Sequence, residues 1–193
     1  VKRMYADKKM LRQVHTKMHG CVKGKFVIEP NLKESLKVGV FREARDYHCW
    51  VRFSNASTEP KADKKGDIRG VAIKLLGVTG EKLLNSKRNE KTHDFLLMSS
   101  ETFFSKNVKE FGKLLKAATK KSKIHIVSYL FLNPKHWGIM KRLLGSNVKC
   151  DNPLNIPYWS TQPYRFGEPN KAVKYFLKPS KDNVIINENV KER

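Results

Sequence analysis

The chain has few acidic residues. Its 193 residues contain 18 aspartates and glutamates against 40 lysines and arginines, which gives a formal net charge of +22. Clustered positive charge is typical of proteins that bind nucleic acid, because neutralised phosphates release counterions. Thirty of the basic residues are lysines, however, and they are spread along the whole chain. This distribution does not favour a dedicated nucleic-acid function, which stays an alternative together with binding to an anionic surface.

Long apolar runs, paired cysteines and phosphate-binding loops are also missing. No apolar run approaches the roughly 20 residues of a spanning helix, so no membrane span is predicted. Cys21, Cys49 and Cys150 lie far apart and form no Cys-x-x-Cys pair, a pattern typical of reduced thiols in a cytoplasmic protein. The glycines form neither a Gly-x-Gly-x-x-Gly nor a Walker-type loop, so nothing indicates nucleotide binding.

The residues that are present indicate one globular domain. The hydrophobic share is 39%, with ten phenylalanines and three tryptophans, and a chain of this size buries about 70% of its unfolded surface. There is no internal repeat and no low-complexity linker, so we assign residues 1–193 to a single domain. Because the sequence starts at Val1, we expect it to be trimmed at that end.

Hydrophobic periodicity predicts an α+β fold. Strands are expected at Gly20–Glu29, Cys49–Asn55, Ile68–Leu76 and Asp94–Met98, with two more at residues 164–167 and 173–178. Helices are expected at Tyr5–Met18, Leu32–Val40, from Ser99 or Ser100 to about Lys121, at Ile124–Leu132 and at Lys135–Leu144. The proline-rich stretch Asn152–Pro163 is expected to be extended.

An ordered series of motifs runs through the first half of the chain. RQVHTK (residues 12–17) is followed by VRFSNAS (51–57), DIRGVAIK (67–74) and HDFLLMSSETFF (93–104), with Phe111 seven residues further on. This series resembles the haem catalase superfamily, in particular its small catalase-related branch. A weaker similarity continues in QPYRFG (162–167) and KYFLKP (174–179).

The resemblance implies a catalase-like antiparallel β-barrel core with peripheral helices, a haem b cofactor, and hydrogen peroxide or an organic peroxide as substrate. It implies that His15 is the distal acid/base, a role that suits an imidazole because its pKa lies near about 6.5. Ser54 would orient that imidazole. Arg12 and Arg52 would pair with haem propionates, Val14 would narrow the approach to the iron, and Phe111 would stack on the porphyrin.

These assignments have ordinary alternatives. His15 would otherwise be a surface or structural histidine, Arg12 and Arg52 would be surface ion-pair partners worth about 0 to 1 kcal/mol each, and Phe111 would be a core residue. The other five histidines show no metal-ligand spacing and are interpreted as structural: His19, His48, His93, His125 and His136.

Two departures from the family pattern bear on activity. Met98, Ser99 and Ser100 stand where the family places an asparagine amide that helps to polarise peroxide, and a thioether donates no hydrogen bond. No arginine is followed four residues later by a tyrosine, so the tyrosine that holds the iron in catalases is not identified. We therefore expect either a C-terminally truncated catalase-like chain, which would seek a partner and form a homo-oligomer, or a non-catalytic remnant.

Overall fold

The computed structural model describes residues 12, 14–57, 60–62, 65–118, 122 and 124–180. These residues form a six-stranded antiparallel sheet, curled into a half-barrel, together with three helices and a separate two-stranded ribbon. The predicted α+β class is confirmed. Within the described part of the chain, no helix is long and apolar enough to cross a membrane.

The large sheet is built mainly from neighbouring segments of the chain. Its order is β1-β2-β3-β4-β5-β8, and the first four strands pair as a meander. All four of the long strands expected from the sequence are present, and the expected terminal pair is realised as three short strands. The strands are β1 Met18–Val27, β2 Asp46–Asn55, β3 Arg69–Leu76, β4 Thr92–Met98, β5 Tyr158–Ser160, β6 Tyr164–Arg165, β7 Ala172–Val173 and β8 Phe176–Leu177.

The three helices follow β4 and lie in one part of the sequence. They are α1 Val108–Ala118, α2 Ile124–Phe131 and α3 Trp137–Gly145. Helix α1 starts later than the sequence indicates. Its first turn is capped by Asn107, whose side-chain oxygen accepts from the Glu110 N–H at 2.9 Å, whereas the Ser99 hydroxyl accepts from the Arg69 N–H at 2.9 Å. Ser99 is therefore bonded to β3 and does not cap the helix.

The predicted helix over Tyr5–Met18 is not formed where it can be checked. Residues 1–11 and 13 lie outside the described residues, residues 14–17 are not helical, and Met18 already begins β1. His15 has a φ of 56°, a left-handed conformation that an α-helix of L-residues excludes. The expected helix at Leu32–Val40 is replaced by two short 3₁₀ turns.

Alternation along the strands divides the sheet into two faces. The core face of β3 presents Val71, Ile73 and Leu75, all less than 10% exposed, against a cluster that includes Phe95 and Tyr158. The opposite face carries a row formed by the register pairs Ser54 with Gly70 and Gly70 with Met98. Because directly paired residues share a face, these three positions form the floor on which the segment before β1 lies.

Candidate functional site

His15 is fixed over the end of β2 and β3 by both its ring and its backbone. Its Nδ1 lies 2.9 Å from Ser54 Oγ. Its carbonyl oxygen accepts from Arg52 Nη2 at 2.8 Å, and its N–H donates to the Ala56 carbonyl at 3.3 Å. The left-handed backbone of His15 is uncommon for a residue with a Cβ, and such strained positions concentrate at functional sites. The structure thus brings together the predicted trio His15, Ser54 and Arg52.

Gly70 allows the imidazole to lie directly on the sheet. A Cβ at this position would be 2.4 Å from His15 Cε1 and 2.8 Å from His15 Nδ1, which is too close for any real carbon contact. Only glycine therefore permits the observed placement of His15, and an isolated glycine inside a strand is the signal for such close approach. The sequence motif contained Gly70, but its role as the floor of the site was missed.

The surroundings of His15 favour the neutral imidazole. Burial lowers the pKa of His15, the neighbouring charges of Arg52 and Arg12 lower it further, and Asp67 opposes them. Since the ordinary histidine pKa is about 6.5, His15 is neutral at pH 7. A neutral ring has one nitrogen that can accept a proton, which a general base requires.

Arg52 and Arg12 concentrate positive charge beside His15. Burial lowers the pKa of Arg52, and the nearby Arg12 lowers it further, because two like charges in proximity disfavour one another. Such a pair suits an anion with more than one carboxylate or phosphate group. Arg52 has a second role that the sequence did not indicate, since its guanidinium donates to the His15 carbonyl.

The remaining predicted site residues are Val14 and Phe111. Val14 precedes His15 and is 44% exposed. Phe111 lies on α1 and contacts the rings of Phe103 and Phe104, with centroids 5.4 and 5.7 Å away. Met98, 4% exposed, occupies the row position next to Gly70. The thioether thus lies in the row that carries His15, where it offers no donor to a ligand.

A second histidine, His19, contacts residues at the same ends of β2 and β3, but on the opposite face of the sheet. His19 Nε2 lies 2.5 Å from Asn55 Oδ1 and 3.2 Å from Arg69 Nη1, and Arg69 also donates to Asn55 Oδ1. Asn55 and Arg69 are fully buried. We call these three residues the inner cluster. Sequence reasoning treated His19 as structural and did not single out Asn55 or Arg69, because nothing local in the sequence distinguishes a buried arginine from an exposed one.

The inner cluster and His15 lie on opposite faces of the sheet. Ser54 and Asn55 are consecutive on β2, and Arg69 and Gly70 are consecutive on β3, so each strand gives one residue to each face. The backbone adds a further tie, since the Asn55 N–H donates to the Lys17 carbonyl at 3.1 Å. The segment from His15 to His19 is therefore held from both faces at once, which limits how far the imidazole can move.

Tyr158 and Tyr175 do not fit the role of an iron ligand. Tyr158 is 1% exposed, its hydroxyl donates to the Pro153 carbonyl at 2.6 Å, and burial raises its pKa. Its neighbour Trp159 pairs with Met98, so Tyr158 points to the core face, away from His15. Burial also raises the pKa of Tyr175, which Tyr164 raises further. A tyrosine that binds iron as a phenolate needs a lowered pKa.

The residues around His15 thus orient a neutral imidazole beside two arginines, whereas Tyr158 and Tyr175 do not offer a phenolate. Gly70 leaves room for the His15 ring, and two arginines supply charge for carboxylates. Among the described residues no group of three or more His, Cys, Asp or Glu side chains could hold a metal ion. No family model matches the chain, and no curated protein sequence is similar to it.

Proposed function

We propose that this chain provides the peroxide-side half of a haem site and acts on hydrogen peroxide or an organic peroxide, as its resemblance to the small catalase-related branch implies. The supporting observation is the arrangement of His15, which lies against Gly70, is bonded through Nδ1 to Ser54 and is kept neutral by burial and by Arg52. A buried, oriented, neutral imidazole is a competent general base.

The proton steps follow from the hydrogen bonds of the ring. When Ser54 Oγ accepts from Nδ1–H, the lone pair of His15 lies on Nε2. Nε2 would accept the proton of the near peroxide oxygen and donate it to the far oxygen. Ser54 fixes the tautomer throughout, and Arg52 holds the His15 carbonyl so that the ring does not swing away. A bound haem would supply the redox chemistry of O–O cleavage.

Arg12 and Arg52 are proposed to bind the propionates. Burial lowers the pKa of Arg52, and the charge of Arg12 lowers it further; carboxylates between the two guanidiniums would relieve that repulsion. Met98 in the row beside Gly70 predicts slower cleavage than an amide would give, because His15 then polarises the peroxide without a second donor.

A hemin titration with His15 variants tests this proposal. We expect a saturable Soret shift for the unaltered chain and for His15→Gln, and peroxide consumption at least about 100-fold slower in His15→Gln, the usual contribution of a general base. His48→Gln is the matched control, since His48 is an exposed histidine on β2, and it should keep full activity. Equal peroxide consumption by loaded His15→Gln and unaltered protein would refute the role of His15.

The second candidate is a catalase-like protein that does not hold haem. The buried, hydrogen-bonded Tyr158 and the raised pKa of Tyr175 favour it, because neither tyrosine is available as a phenolate. This candidate predicts no saturable Soret shift even with hemin in excess. The absence of a saturable shift would favour this candidate over the first, because the chain would then have the sheet and the arrangement of His15 but would bind no haem iron.

A further inference from the structure

Helix α2 and the start of α3 carry exposed apolar side chains. Ile124, Val127 and Phe131 follow the i, i+3, i+7 spacing, which places them along one stripe of α2. All three are at least half exposed, at 67%, 50% and 55%. Leu132 extends the stripe at 81% exposed, and Trp137, 54% exposed, adjoins it because its Nε1 donates to the Phe131 carbonyl at 3.1 Å. We call these five residues the α2 stripe.

The described part of the fold leaves the α2 stripe exposed. Helix α2 contacts α1 and α3, and its Tyr129 stacks on His136 with ring centroids 4.0 Å apart. Contiguous exposed apolar side chains of this kind mark an interaction surface. The stripe therefore fits a partner that buries aliphatic and aromatic side chains.

The charge of the segment that carries the stripe indicates the chemistry of that partner. Between residues 108 and 145 the chain has nine lysines and arginines and a single acidic residue, Glu110. Lys109, Lys113, Lys135 and Lys141 are exposed. Exposed apolar side chains and a tryptophan within a lysine-rich helical segment are the composition of helices that lie in the interface of an anionic membrane.

Other partners fit this surface less well. A second copy of the chain would bring together two segments that each carry a large excess of lysine and arginine, and like charges across an interface oppose association. Nucleic acid would use the lysines but would leave the exposed Ile124, Val127 and Phe131 without an apolar contact. We propose that the α2 stripe docks on the surface of a membrane rich in anionic lipid, with no span of the bilayer. This inference is independent of the peroxide proposal.

Co-sedimentation with vesicles tests the inference, using the full chain and two matched double variants. Val127→Glu with Phe131→Glu places two carboxylates on the stripe. Leu83→Glu with Leu84→Glu makes the same charge change at residues that are 104% and 64% exposed in the loop before β4. Since all four side chains are at least half exposed, both variants should fold, which far-ultraviolet circular dichroism checks.

With vesicles of about 30% phosphatidylserine in phosphatidylcholine, we expect binding that falls as salt rises and is weak on phosphatidylcholine alone. The stripe variant should lose at least about tenfold in affinity, and the loop variant should stay within about twofold. Brominated lipid should quench the unaltered protein more than Trp137→Phe. No binding to anionic vesicles, equal losses in the two double variants, or a dimer that the stripe variant dissociates without any vesicle binding would each overturn the inference.

Discussion

Replacing Gly70 with alanine probes the contact on which the candidate site depends. The new methyl group would lie 2.4 Å from His15 Cε1 and 2.8 Å from Nδ1. An ordinary contact needs about 3.4 Å or more, so the imidazole has to move by about 1 Å. Its hydrogen bond to Ser54 is 2.9 Å long, and a displacement of that size takes the two atoms to the limit of a hydrogen bond or beyond it.

The expected change in stability is the sum of opposing terms. Overpacking costs about 1–3 kcal/mol, and the weakened hydrogen bond costs about 0.5–1.5 kcal/mol. Alanine restricts the unfolded chain more than glycine, which returns about 0.4–1 kcal/mol. We therefore expect Gly70→Ala to lower the free energy of unfolding by about 2 kcal/mol, within bounds of about 0.5 and 4 kcal/mol, and the steric term is the largest.

The pKa of His15 gives a sharper signature than stability. It is lowered in the folded protein chiefly by burial, so lifting the ring toward solvent should raise it toward its ordinary value. In the unaltered protein the unfolded state binds the proton first as pH falls below about 6.5, so the free energy of unfolding decreases in that range. Gly70→Ala should reduce this decrease. His93, whose pKa burial also lowers, contributes equally in both proteins.

The assay combines a nuclear magnetic resonance titration of His15 with urea unfolding at pH 5.5 and pH 7.5. Gly20→Ala is the control, because a Cβ at Gly20 meets nothing within 4 Å and Gly20 is also in a strand. It should leave the His15 titration unchanged. If Gly70→Ala titrates like the unaltered protein, the His15 ring does not lie on Gly70 and the proposed geometry of the site is wrong.

Two further substitutions test the supports on the core face. Asn55→Ala removes the acceptor shared by His19 and Arg69 and should lower the free energy of unfolding in urea by about 2–3 kcal/mol. Asn55→Asp keeps an acceptor and should lower it by less than about 1 kcal/mol. Equal losses in the two variants would contradict the acceptor role of Asn55. Tyr158→Phe removes the hydrogen bond to the Pro153 carbonyl and should cost about 1 kcal/mol while any hemin spectrum stays the same. A lost or shifted Soret band in Tyr158→Phe would instead identify it as an iron ligand.

The strands were predictable because burial of one face imposes a period of two. In β3, Val71, Ile73 and Leu75 alternate with less buried residues, and this pattern is written in the sequence. The start of α1 was not predictable in the same way. Ser99 and Ser100 have the side chains of N-cap residues. Ser99, however, accepts a hydrogen bond from the Arg69 N–H of β3 and does not cap the helix. No local sequence pattern indicates this tertiary contact.

The candidate site was predictable in part for a similar reason. The motif series selected His15, Arg52 and Ser54. His15 lies 37 and 39 residues before the other two, and all three meet in the structure. It did not indicate that Arg52 holds the His15 backbone, that Gly70 is the floor, or that His19, Asn55 and Arg69 form a cluster beneath. These are consequences of strand register, which only the folded sheet fixes.

Strand register also makes the site depend on the core. A slip of one residue in β3 would turn Arg69 toward the His15 side and Gly70 toward the core, because successive side chains point to opposite faces. The same slip would expose Val71, Ile73 and Leu75, which are at most 9% exposed, and burying each of them contributes about 1.5–3 kcal/mol. Core burial is thus far stronger than the His15 contacts. Val71, Ile73 and Leu75 hold Gly70 under the imidazole, although none of these three lies on that face.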